Sequence, residues 1–295
     1  MVEIELDGQK VEIAEGSMVM HAAEKAGTYI PHFCYHKKLS IAANCRMCLV
    51  DVEKAPKPMP ACATPVTQGM IVRTKSDKAI QAQKSVMEFL LINHPLDCPI
   101  CDQAGECDLQ NLAFEHGTSK TRYEEERRTY DKIDIGPNIQ LHMDRCILCY
   151  RCVYTADQFT DNRVHGVLHR GDSAEIGTYI QNSIDNDFSG NVIDVCPVGA
   201  LTDKTFRFKS RVWFLNPFDA HRDCPTCSGK VVVWKFGEDI YRVTGRKDQY
   251  GEVEEFICNT CRFEKKAPED WTIEGPRKID RHSVISQNHY EDLKI

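Results

Sequence analysis

Fifteen cysteines and one histidine of this 295-residue chain form, in chain order, four sets of four potential metal ligands. The sets are Cys34/Cys45/Cys48/Cys62, His94/Cys98/Cys101/Cys107, Cys146/Cys149/Cys152/Cys196 and Cys224/Cys227/Cys258/Cys261. A metal centre needs a fixed number of donor atoms, whereas disulfide bonds need only pairs of cysteines. Because clustered cysteines in a reducing compartment favour metals over disulfides, the chemistry of this chain should follow from what the four sets bind.

The first set has ten, two and thirteen residues between successive cysteines. Four thiolates from a loop and a sheet edge suit a [2Fe–2S] centre, in which each iron takes two cysteine sulfurs. The loop includes the small residues Ala42, Ala43 and Asn44, which would let backbone N–H groups approach the sulfurs and adjust the potential. The first gap is longer than the four residues of plant ferredoxins, and a zinc site with four thiolates is the alternative.

The second set combines one histidine with three cysteines, separated by three, two and five residues. Four ligands within fourteen residues can surround a [4Fe–4S] cubane, and Gly105 would permit tight backbone curvature beside it. A neutral imidazole in place of a thiolate removes one negative charge, which should raise the reduction potential. A histidine alone would be read as a surface or capping residue, but the position of His94 four residues before Cys98 favours ligation.

The third set has the spacing of bacterial ferredoxins, with three cysteines two residues apart and a remote Cys196-Pro197. This pattern predicts a [4Fe–4S] cluster. In two-cluster ferredoxins another cysteine follows the third after three residues, but Ala156 occupies that position here. We therefore expect no companion cluster in this segment.

The fourth set consists of two Cys-x-x-Cys knuckles, Cys224–Cys227 and Cys258–Cys261, with thirty residues between them. By itself this arrangement favours a structural zinc ion in tetrahedral coordination. A further [4Fe–4S] cluster is the rival interpretation, and the residues leave both open.

The N-terminal segment is predicted to form a small β-sheet wrapped on one helix, a ferredoxin-like β-grasp module. A hairpin is expected at residues 2–6 and 10–14. The helix should run from Ser17, as its N-cap, to Ala26, with Gly27 as the C-terminal glycine. Three further strands are expected at residues 48–53, 60–64 and 70–74.

The remaining pattern predicts an α+β chain. A helix is expected from Asp77 to Asn93, and the ligands up to Gly117 should lie on short helical turns. Residues 118–137 are dense in charge and are interpreted as a solvated connector. A second hairpin is predicted at Val231–Trp234 and Ile240–Val243, between the two knuckles of the fourth set.

Composition argues against nucleic acid and anionic lipid as partners, because a net charge of −7 provides no basic field. The chain opens with the alternating Met1–Leu6 rather than a basic start and an apolar run, and no apolar stretch approaches about 18 residues. We therefore expect a soluble, cytoplasmic chain without direct membrane insertion. The sequence contains no Gly-x-Gly-x-x-Gly or P-loop motif, so the usual device for binding a dinucleotide is missing.

The order of the sets and two sequence strings resemble the large iron–sulfur subunit of respiratory complex I, which is the 75-kDa subunit and its bacterial counterpart. The strings are CPICDQAGEC at residues 98–107 and DRCILCYRC at residues 144–152. The resemblance covers about residues 1–265. It implies a [2Fe–2S] domain at 1–77, a histidine-ligated [4Fe–4S] domain at 78–117, a connector at 118–137 and a ferredoxin-like [4Fe–4S] domain at 138–218. Residues 219–295 would be a β-rich remnant of the N-terminal metal-binding domain of molybdopterin oxidoreductases.

The resemblance also implies the role of the protein. A subunit of this kind receives electrons from a separate flavoprotein subunit that oxidises NADH and passes them toward the quinone-reducing module. Its expected partners are that flavoprotein, a [2Fe–2S] subunit of the 24-kDa type and the hydrophilic subunits of the quinone module. The expected location is the cytoplasmic side of the inner membrane, as a peripheral part of a membrane complex.

The sequence departs from the family pattern in two places. Family members usually continue into a large molybdopterin-oxidoreductase-like domain, whereas this sequence stops at Ile295, as a short form would. Some bacterial relatives carry an extra [4Fe–4S] site, but here Val231 stands where its third cysteine would be and Cys261 stands where relatives have glycine.

Two other functions are considered. The diaphorase iron–sulfur subunit of an NAD-reducing hydrogenase or formate dehydrogenase shares the first three motifs, although the knuckled hairpin at 224–261 favours complex I. From a different class, a zinc-stapled interaction scaffold would bind about four zinc ions, one per set.

Overall fold

The computed structural model describes residues 1–131, 133–160, 165–178, 184, 186–248 and 251–278. The chain divides into two compact units. The first contains Met1–Asn93 and Leu109–Glu126. The second contains His94–Asp108 and the described residues from 127 onward. The structure confirms a mixed fold of helices and strands, while the four-module division stays a prediction.

The first unit is built on a five-stranded sheet with the order β2-β1-β5-β3-β4. Its strands are β1 (Val2–Leu6), β2 (Gln9–Ile13), β3 (Leu49–Val52), β4 (Met59–Pro60) and β5 (Ile71–Arg73). β1 pairs in parallel with β5, and the other neighbours are antiparallel. Alternate residues of the first hairpin, among them Ile4, Leu6 and Val11, are buried in the core with helix α1 (Val19–Lys25). The predicted N-terminal hairpin is confirmed.

Helix α1 begins one residue later than predicted, with Met18 rather than Ser17 as the N-cap. The Ser17 carbonyl accepts a hydrogen bond from the Val66 N–H at 2.8 Å, which commits Ser17 to an extended segment. The predicted C-terminal glycine is confirmed. Gly27 has φ +70°, and the Gly27 and Thr28 N–H groups donate to the carbonyls of Glu24 and Ala23, which is a Schellman motif.

The strand expected at residues 60–64 is wrong for most of its length. Only Pro60 belongs to a strand, and Ala61–Ala63 form a 3₁₀ turn. The Ala61 N–H donates to the Cys48 carbonyl at 2.9 Å, so the chain turns there rather than extending along β3. This turn places Cys62 in the core.

Helix α2 (Asp77–Leu91) ends two residues before the predicted end and is capped by the Ser76 hydroxyl, which accepts from the Ala79 N–H at 3.2 Å. Gln83 on its buried side donates to the Leu49 carbonyl at 3.1 Å, which ties α2 to β3. Helix α3 (Asp108–His116) follows the second ligand set.

The second unit contains several short elements around the third ligand set and one larger sheet. The short elements are β6 (Ile139–Leu141), α4 (Arg151–Phe159), β7 (His165–Leu168), β8 (Glu175–Thr178), α5 (Asn191–Val195) and β9 (Leu201–Asp203). β6 pairs with β9 and β7 pairs with β8, both antiparallel. The first pairing brings the chain after Cys196 back beside the chain that leads to Cys146.

The larger sheet has four antiparallel strands in the order β12-β11-β10-β13. They are β10 (Asn216–His221), β11 (Lys230–Phe236), β12 (Asp239–Thr244) and β13 (Thr272–Pro276). The predicted second hairpin is therefore confirmed as β11–β12. Its inner face packs Val231, Val233 and Val243 against Ile257 and Trp271.

We predict that Asp7→Ala loosens the pairing of β1 with β5. The Asp7 carboxylate accepts from the N–H of Thr74 at 2.7 Å and from its hydroxyl at 2.6 Å, and Thr74 is buried. Leaving both donors unsatisfied should cost about 1–3 kcal/mol. Amide exchange followed by mass spectrometry should be roughly tenfold or more faster in peptides that cover β1 and β5.

Asp7 has φ +49°, so Asp7→Asn, which tolerates this backbone conformation and keeps an acceptor, should show a smaller effect than Asp7→Ala. Lys10→Ala, which removes only an exposed ion pair with Glu3, is the control and should leave the exchange unchanged. Equal exchange in the Asp7→Ala variant and the wild type would contradict the prediction.

Candidate metal centres

The first set is buried in the core of the N-terminal sheet. Cys34 and Cys45 lie in the loop between α1 and β3, Cys48 directly precedes β3, and Cys62 lies in the turn Ala61–Ala63. Thiol hydrogen bonds join Cys34 to Cys45 and Cys62, and Cys48 to Cys62. The structure therefore brings all four predicted ligands together.

These contacts divide the four thiols into two kinds. Hydrogen bonds from the Cys45 and Cys62 thiols lower the pKa of Cys34, and a hydrogen bond from Cys62 lowers the pKa of Cys48. The same bonds raise the pKa of Cys45 and of Cys62, because each donates its proton to a neighbouring sulfur. Thiolate is the form that binds metal, so the pocket already favours sulfur ligation at two of its four positions.

The loop of the first set is bent so that backbone N–H groups can face the sulfurs. Ala43 and Arg46 both have left-handed backbone conformations, with φ of 51° and 60°. Such residues make concave groups of N–H donors that bind anions and are common at iron–sulfur sites. The Cys34 N–H already donates to the Cys45 sulfur at 3.4 Å. A centre with sulfur ligands and net negative charge fits this loop.

The second set lies in an irregular segment whose only regular turn is the 3₁₀ turn Cys98–Ile100. Cys101 and Cys107 are buried, whereas Cys98 is exposed and His94 is half-buried. Gly105 has φ +87°, which provides the predicted sharp curvature between Cys101 and Cys107. Burial lowers the pKa of His94 to about 4, so that its imidazole is neutral at pH 7, the form in which histidine binds metals.

The third set lines a cavity of about 360 Å³, measured with its open mouth. All four cysteines face it, together with apolar side chains such as Leu141, Ile176 and Val198. Leu148 and Tyr150, between the clustered cysteines, have φ of 51° and 66°, and the Leu148 N–H donates to the Cys146 sulfur at 3.3 Å. A cavity with four cysteine sulfurs in an apolar wall fits a cluster of iron and sulfide.

The second and third sets contact each other through the short loop after Cys196. The Cys107 thiol lies 3.8 Å from the Pro197 carbonyl oxygen, and the Asp108 N–H donates to the same oxygen at 3.0 Å. A Cβ atom on Gly199 would lie 2.1 Å from the Cys101 sulfur. The loop that carries one ligand of the third set therefore packs directly on two ligands of the second.

Ion pairs with buried arginines hold several ligand segments in place, and the acidic member of each pair lies directly before a cysteine in the sequence. Arg145, which precedes Cys146, donates from Nε to Asp97, which precedes Cys98, at 2.9 Å. Arg242 donates through Nη1 at 2.7 Å to Glu106, which precedes Cys107. Sequence reasoning missed these partners, and position next to a cysteine was the only available signal.

A third ion pair joins the turn of the fourth set to α5. Arg262, which follows Cys261, donates from Nη1 at 3.0 Å to Asp194, two residues before Cys196. Burial alone would raise the pKa values of Asp194 and Glu106, but the adjacent guanidinium groups hold both below the usual range. These carboxylates therefore stay ionised at neutral pH, and the pairs weaken only when acid protonates them.

The fourth set is the most compact. The Cys224 and Cys227 sulfurs each lie 3.7 Å from that of Cys258, and the Cys227 sulfur lies 3.8 Å from that of Cys261. All four sulfurs lie within 4.8 Å of one another. Among the described residues, neither the first, the second nor the third set brings three of its donor atoms so close together.

A membrane-spanning helix is not found in the described part of the chain: none of its helices is both long and apolar enough.

Three family models match the sequence. They describe a 2Fe-2S iron-sulfur cluster binding domain at residues 1–77, an NADH-ubiquinone oxidoreductase-G iron-sulfur binding region at 83–122, and the ferredoxin-like domain of NADH-quinone oxidoreductase subunit 3 at 136–202. These matches define an iron–sulfur protein with a 2Fe-2S domain and 4Fe-4S binding regions.

Curated relatives give the family. The G subunit of NADH-quinone oxidoreductase from Rickettsia bellii (strain RML369-C) is 41% identical over 295 residues, which are 100% of this chain and 43% of the relative. The mitochondrial 78 kDa subunit of NADH-ubiquinone oxidoreductase from Neurospora crassa is 46% identical over 265 residues, 89% of this chain and 35% of the relative. The chain belongs to this family of NADH-quinone oxidoreductase G subunits, and it spans less than half the length of these relatives.

A solved structure is also similar. One polypeptide of an NAD⁺-reducing [NiFe]-hydrogenase in the H₂-reduced state matches with a TM-score of 0.65 and 27% identity. The match covers 72% of this chain and 91% of that polypeptide.

We predict that Gly199→Ala displaces Cys101 and disturbs the second set. The added Cβ would overlap the Cys101 sulfur and would also lie 3.2 Å from the Cβ of Gln103. Iron analysis and EPR of anaerobically purified protein should show loss or broadening of one [4Fe–4S] signal, with the [2Fe–2S] signal retained. Gly275→Ala is the matched control, because a Cβ there meets nothing within 4 Å. Identical spectra for all three proteins would argue against the contact.

Proposed function

We propose that this chain conducts electrons through iron–sulfur clusters, from an NADH-oxidising flavoprotein subunit toward the quinone-reducing module of complex I. The observation that carries the proposal is the packing of the Cys196–Gly199 loop, a part of the third set, on Cys101 and Cys107 of the second set. Two redox centres held by these residues would be separated by one loop and no intervening side-chain layer. Iron–sulfur clusters, when bound, exchange single electrons with little rearrangement.

The proposed assignment follows the donor sets. Cys34, Cys45, Cys48 and Cys62 would hold a [2Fe–2S] cluster. His94, Cys98, Cys101 and Cys107 would hold one [4Fe–4S] cluster, and Cys146, Cys149, Cys152 and Cys196 a second. Cys224, Cys227, Cys258 and Cys261 would bind a further metal.

Sulfur spacing supports clusters over zinc at the first three sets. One tetrahedral zinc ion with Zn–S bonds of about 2.3 Å requires its sulfurs to lie about 3.8 Å apart. Within the described residues, only the fourth set has its donor atoms all within 4.8 Å. The zinc-stapled scaffold, which needs a single ion in every set, is therefore the weaker alternative.

The protein would give the clusters their cysteine and histidine ligands, an apolar enclosure and ion pairs that position the ligand segments. Cys149, Cys152 and Cys196 of the third site are buried, which limits the contact of their sulfurs with water. The Arg145 guanidinium donates to Asp97 and to the Gly199 carbonyl, so it links the segments of the second and third sets through an ion pair and a hydrogen bond.

The partners and the location belong to the same proposal. They are the flavoprotein, a [2Fe–2S] subunit of the 24-kDa type and the hydrophilic quinone-module subunits, in a complex peripheral to the membrane on its cytoplasmic side. The names of the relatives, which are subunits of NADH-quinone and NADH-ubiquinone oxidoreductases, support a place in a complex of several subunits.

A second candidate is the iron–sulfur subunit of an NAD-reducing hydrogenase, which the structural match to such an enzyme supports. The sheet formed by β10–β13 and the fourth cysteine set extend the chain beyond the three shared motifs and favour complex I. Affinity purification from the native host separates the two. Membrane subunits and quinone reduction would support complex I, and a nickel-containing partner with hydrogen-dependent NAD⁺ reduction would support the hydrogenase.

We predict about ten iron atoms per chain in the three cluster sites of anaerobically purified protein, with acid-labile sulfide. Cys107→Ser and Cys149→Ser should each remove about four irons and one [4Fe–4S] EPR signal, and the two lost signals should differ. Because metal ligation and local folding are coupled, amide exchange should rise only around the altered set. A colourless protein without labile sulfide would refute the electron-transfer role.

We predict that His94→Cys retains a cluster but lowers the midpoint potential of one [4Fe–4S] signal, by roughly 100 mV, because a thiolate adds one negative charge. A redox titration monitored by EPR measures the shift. His169→Cys, at an exposed histidine paired with Glu175, is the control and should leave every potential unchanged. An unaltered potential in the His94→Cys variant would count against ligation by the imidazole.

A further inference from the structure

We propose that Cys224, Cys227, Cys258 and Cys261 bind one tetrahedral zinc ion, which holds the second unit together and carries no electrons. The inference depends on the geometry of the fourth set, independently of the clusters proposed for the other three.

The sulfur–sulfur distances in the fourth set match the coordination of a single metal ion. For four sulfurs about 2.3 Å from one zinc, the edges of the tetrahedron are about 3.8 Å. Three of the sulfur–sulfur separations in the fourth set are 3.7, 3.7 and 3.8 Å. In a [4Fe–4S] cluster each cysteine sulfur binds a different iron, so iron and sulfide would have to separate these sulfurs. The sulfurs of the fourth set leave no space for them.

Hydrogen-bond donors surround the sulfurs of the fourth set, as expected for metal-bound thiolates. The Gly229 N–H donates to the Cys227 sulfur at 3.4 Å, and the Cys261 N–H donates to the Cys258 sulfur at 3.5 Å. The Arg222 guanidinium donates to the Cys261 sulfur at 3.5 Å. Four thiolates around a divalent ion leave a net charge of −2, and these donors offset part of it.

The first knuckle of the fourth set requires glycine at position 229, two residues after Cys227. Gly229 has φ +67°, and a Cβ there would lie 2.0 Å from the Arg222 carbonyl oxygen. The chain therefore reverses tightly enough for the Gly229 N–H to reach the Cys227 sulfur. This reversal places Cys224 and Cys227 opposite the second knuckle.

The ion would join two segments that the hairpin β11–β12 separates in the sequence. Cys224 and Cys227 lie in the loop between β10 and β11, whereas Cys258 and Cys261 lie at the π-helical turn Thr260–Glu264. Cys258 and Cys261 are buried beside Val231, Val233 and Trp271. Zinc at this position would fasten the turn to the sheet.

The turn Thr260–Glu264, held by zinc, would position α5. Arg262 pairs with Asp194, and the Ile257 N–H donates to the Asn191 side-chain oxygen at 3.0 Å while Asn191 Nδ2 donates to the Ile257 carbonyl at 2.8 Å. Asn191 and Asp194 lie on α5, which ends directly before Cys196. Loss of zinc should therefore loosen α5, although none of the zinc ligands belongs to the third set.

The direct test measures the metal in the whole 295-residue chain, purified anaerobically from medium that contains both iron and zinc. We expect one zinc per chain by elemental analysis and, in zinc K-edge X-ray absorption, a shell of four sulfurs at about 2.3 Å. Iron at about fourteen atoms per chain without zinc would overturn the proposal in favour of a further cubane. One extra iron with the spectrum of a single tetrathiolate iron would overturn the choice of zinc, and an empty site would overturn the site itself.

A double variant separates a structural from an electron-carrying role. Cys227→Ser with Cys261→Ser should lose the zinc, keep the iron of the other three sets and keep their EPR signals. Amide exchange should become faster at residues 186–196 and 255–264. Thr226→Ala, inside the same knuckle but without a ligand atom, is the matched control and should retain zinc. An EPR signal that belongs to none of the other three sets, and that disappears together with the metal in the double variant, would contradict the inference.

The outcomes distinguish this inference from the proposed function. Zinc bound by four sulfurs in a protein without labile sulfide would support the zinc site and refute the electron-transfer role. About ten irons per chain without zinc would support the electron-transfer role and refute the zinc site.

Discussion

The missing side chain at Gly199 lets the loop after Cys196 lie directly on Cys101, and the proposed electron path depends on this contact. The third set supplies the loop, and the second set supplies the two cysteines that it covers. Any side chain at position 199 would overlap the Cys101 sulfur, so that sulfur or the loop would have to shift. Because electron transfer between centres becomes slower with distance, a backbone contact at this point serves the function better than a packed layer of side chains would.

Buried ion pairs then keep the contacting segments in register. Asp97, Glu106 and Asp194 each lie one or two residues before a ligand cysteine, and each is paired with an arginine. Such pairs add little net stability, because removing two charges from water costs about as much as their attraction returns. Breaking one of them leaves an unpaired buried charge, however, and that is strongly unfavourable. The pairs therefore specify one arrangement of the ligand loops rather than simply strengthening the fold.

The chain uses cysteine in two geometries. In the first three sets, most of the predicted ligands lie in loops with left-handed residues or glycine, and within the described chain no three of their donor atoms are as close as those of the fourth set. The sulfurs of the fourth set are spaced like the corners of a small tetrahedron. The spacing of the fourth set has room for one ion and none for inorganic sulfide. The two proposals therefore assign the same amino acid a conducting role in three sets and a structural role in the fourth.

Local patterns were enough to predict the hairpins β1–β2 and β11–β12, the extent of α2 to within two residues and the glycine at the end of α1. Each of these depends on residues that are neighbours in the chain. The start of α1 and the chain at 60–64 could not be predicted, because the Val66 N–H holds Ser17 in an extended segment and a bond from Ala61 to Cys48 turns the chain. Both are contacts between distant residues.

Ligand type and spacing are local properties, so the residues that can bind metal, and their grouping into four sets, could be identified from the sequence. The contacts between those sets became known only from the folded chain. The bonds of Arg145 to Asp97, Arg262 to Asp194 and Arg242 to Glu106 span 48, 68 and 136 residues. The sulfur spacing of the fourth set, which separates zinc from a cubane, likewise joins knuckles more than thirty residues apart. Only folding sets such distances, because only a packed core brings these segments together.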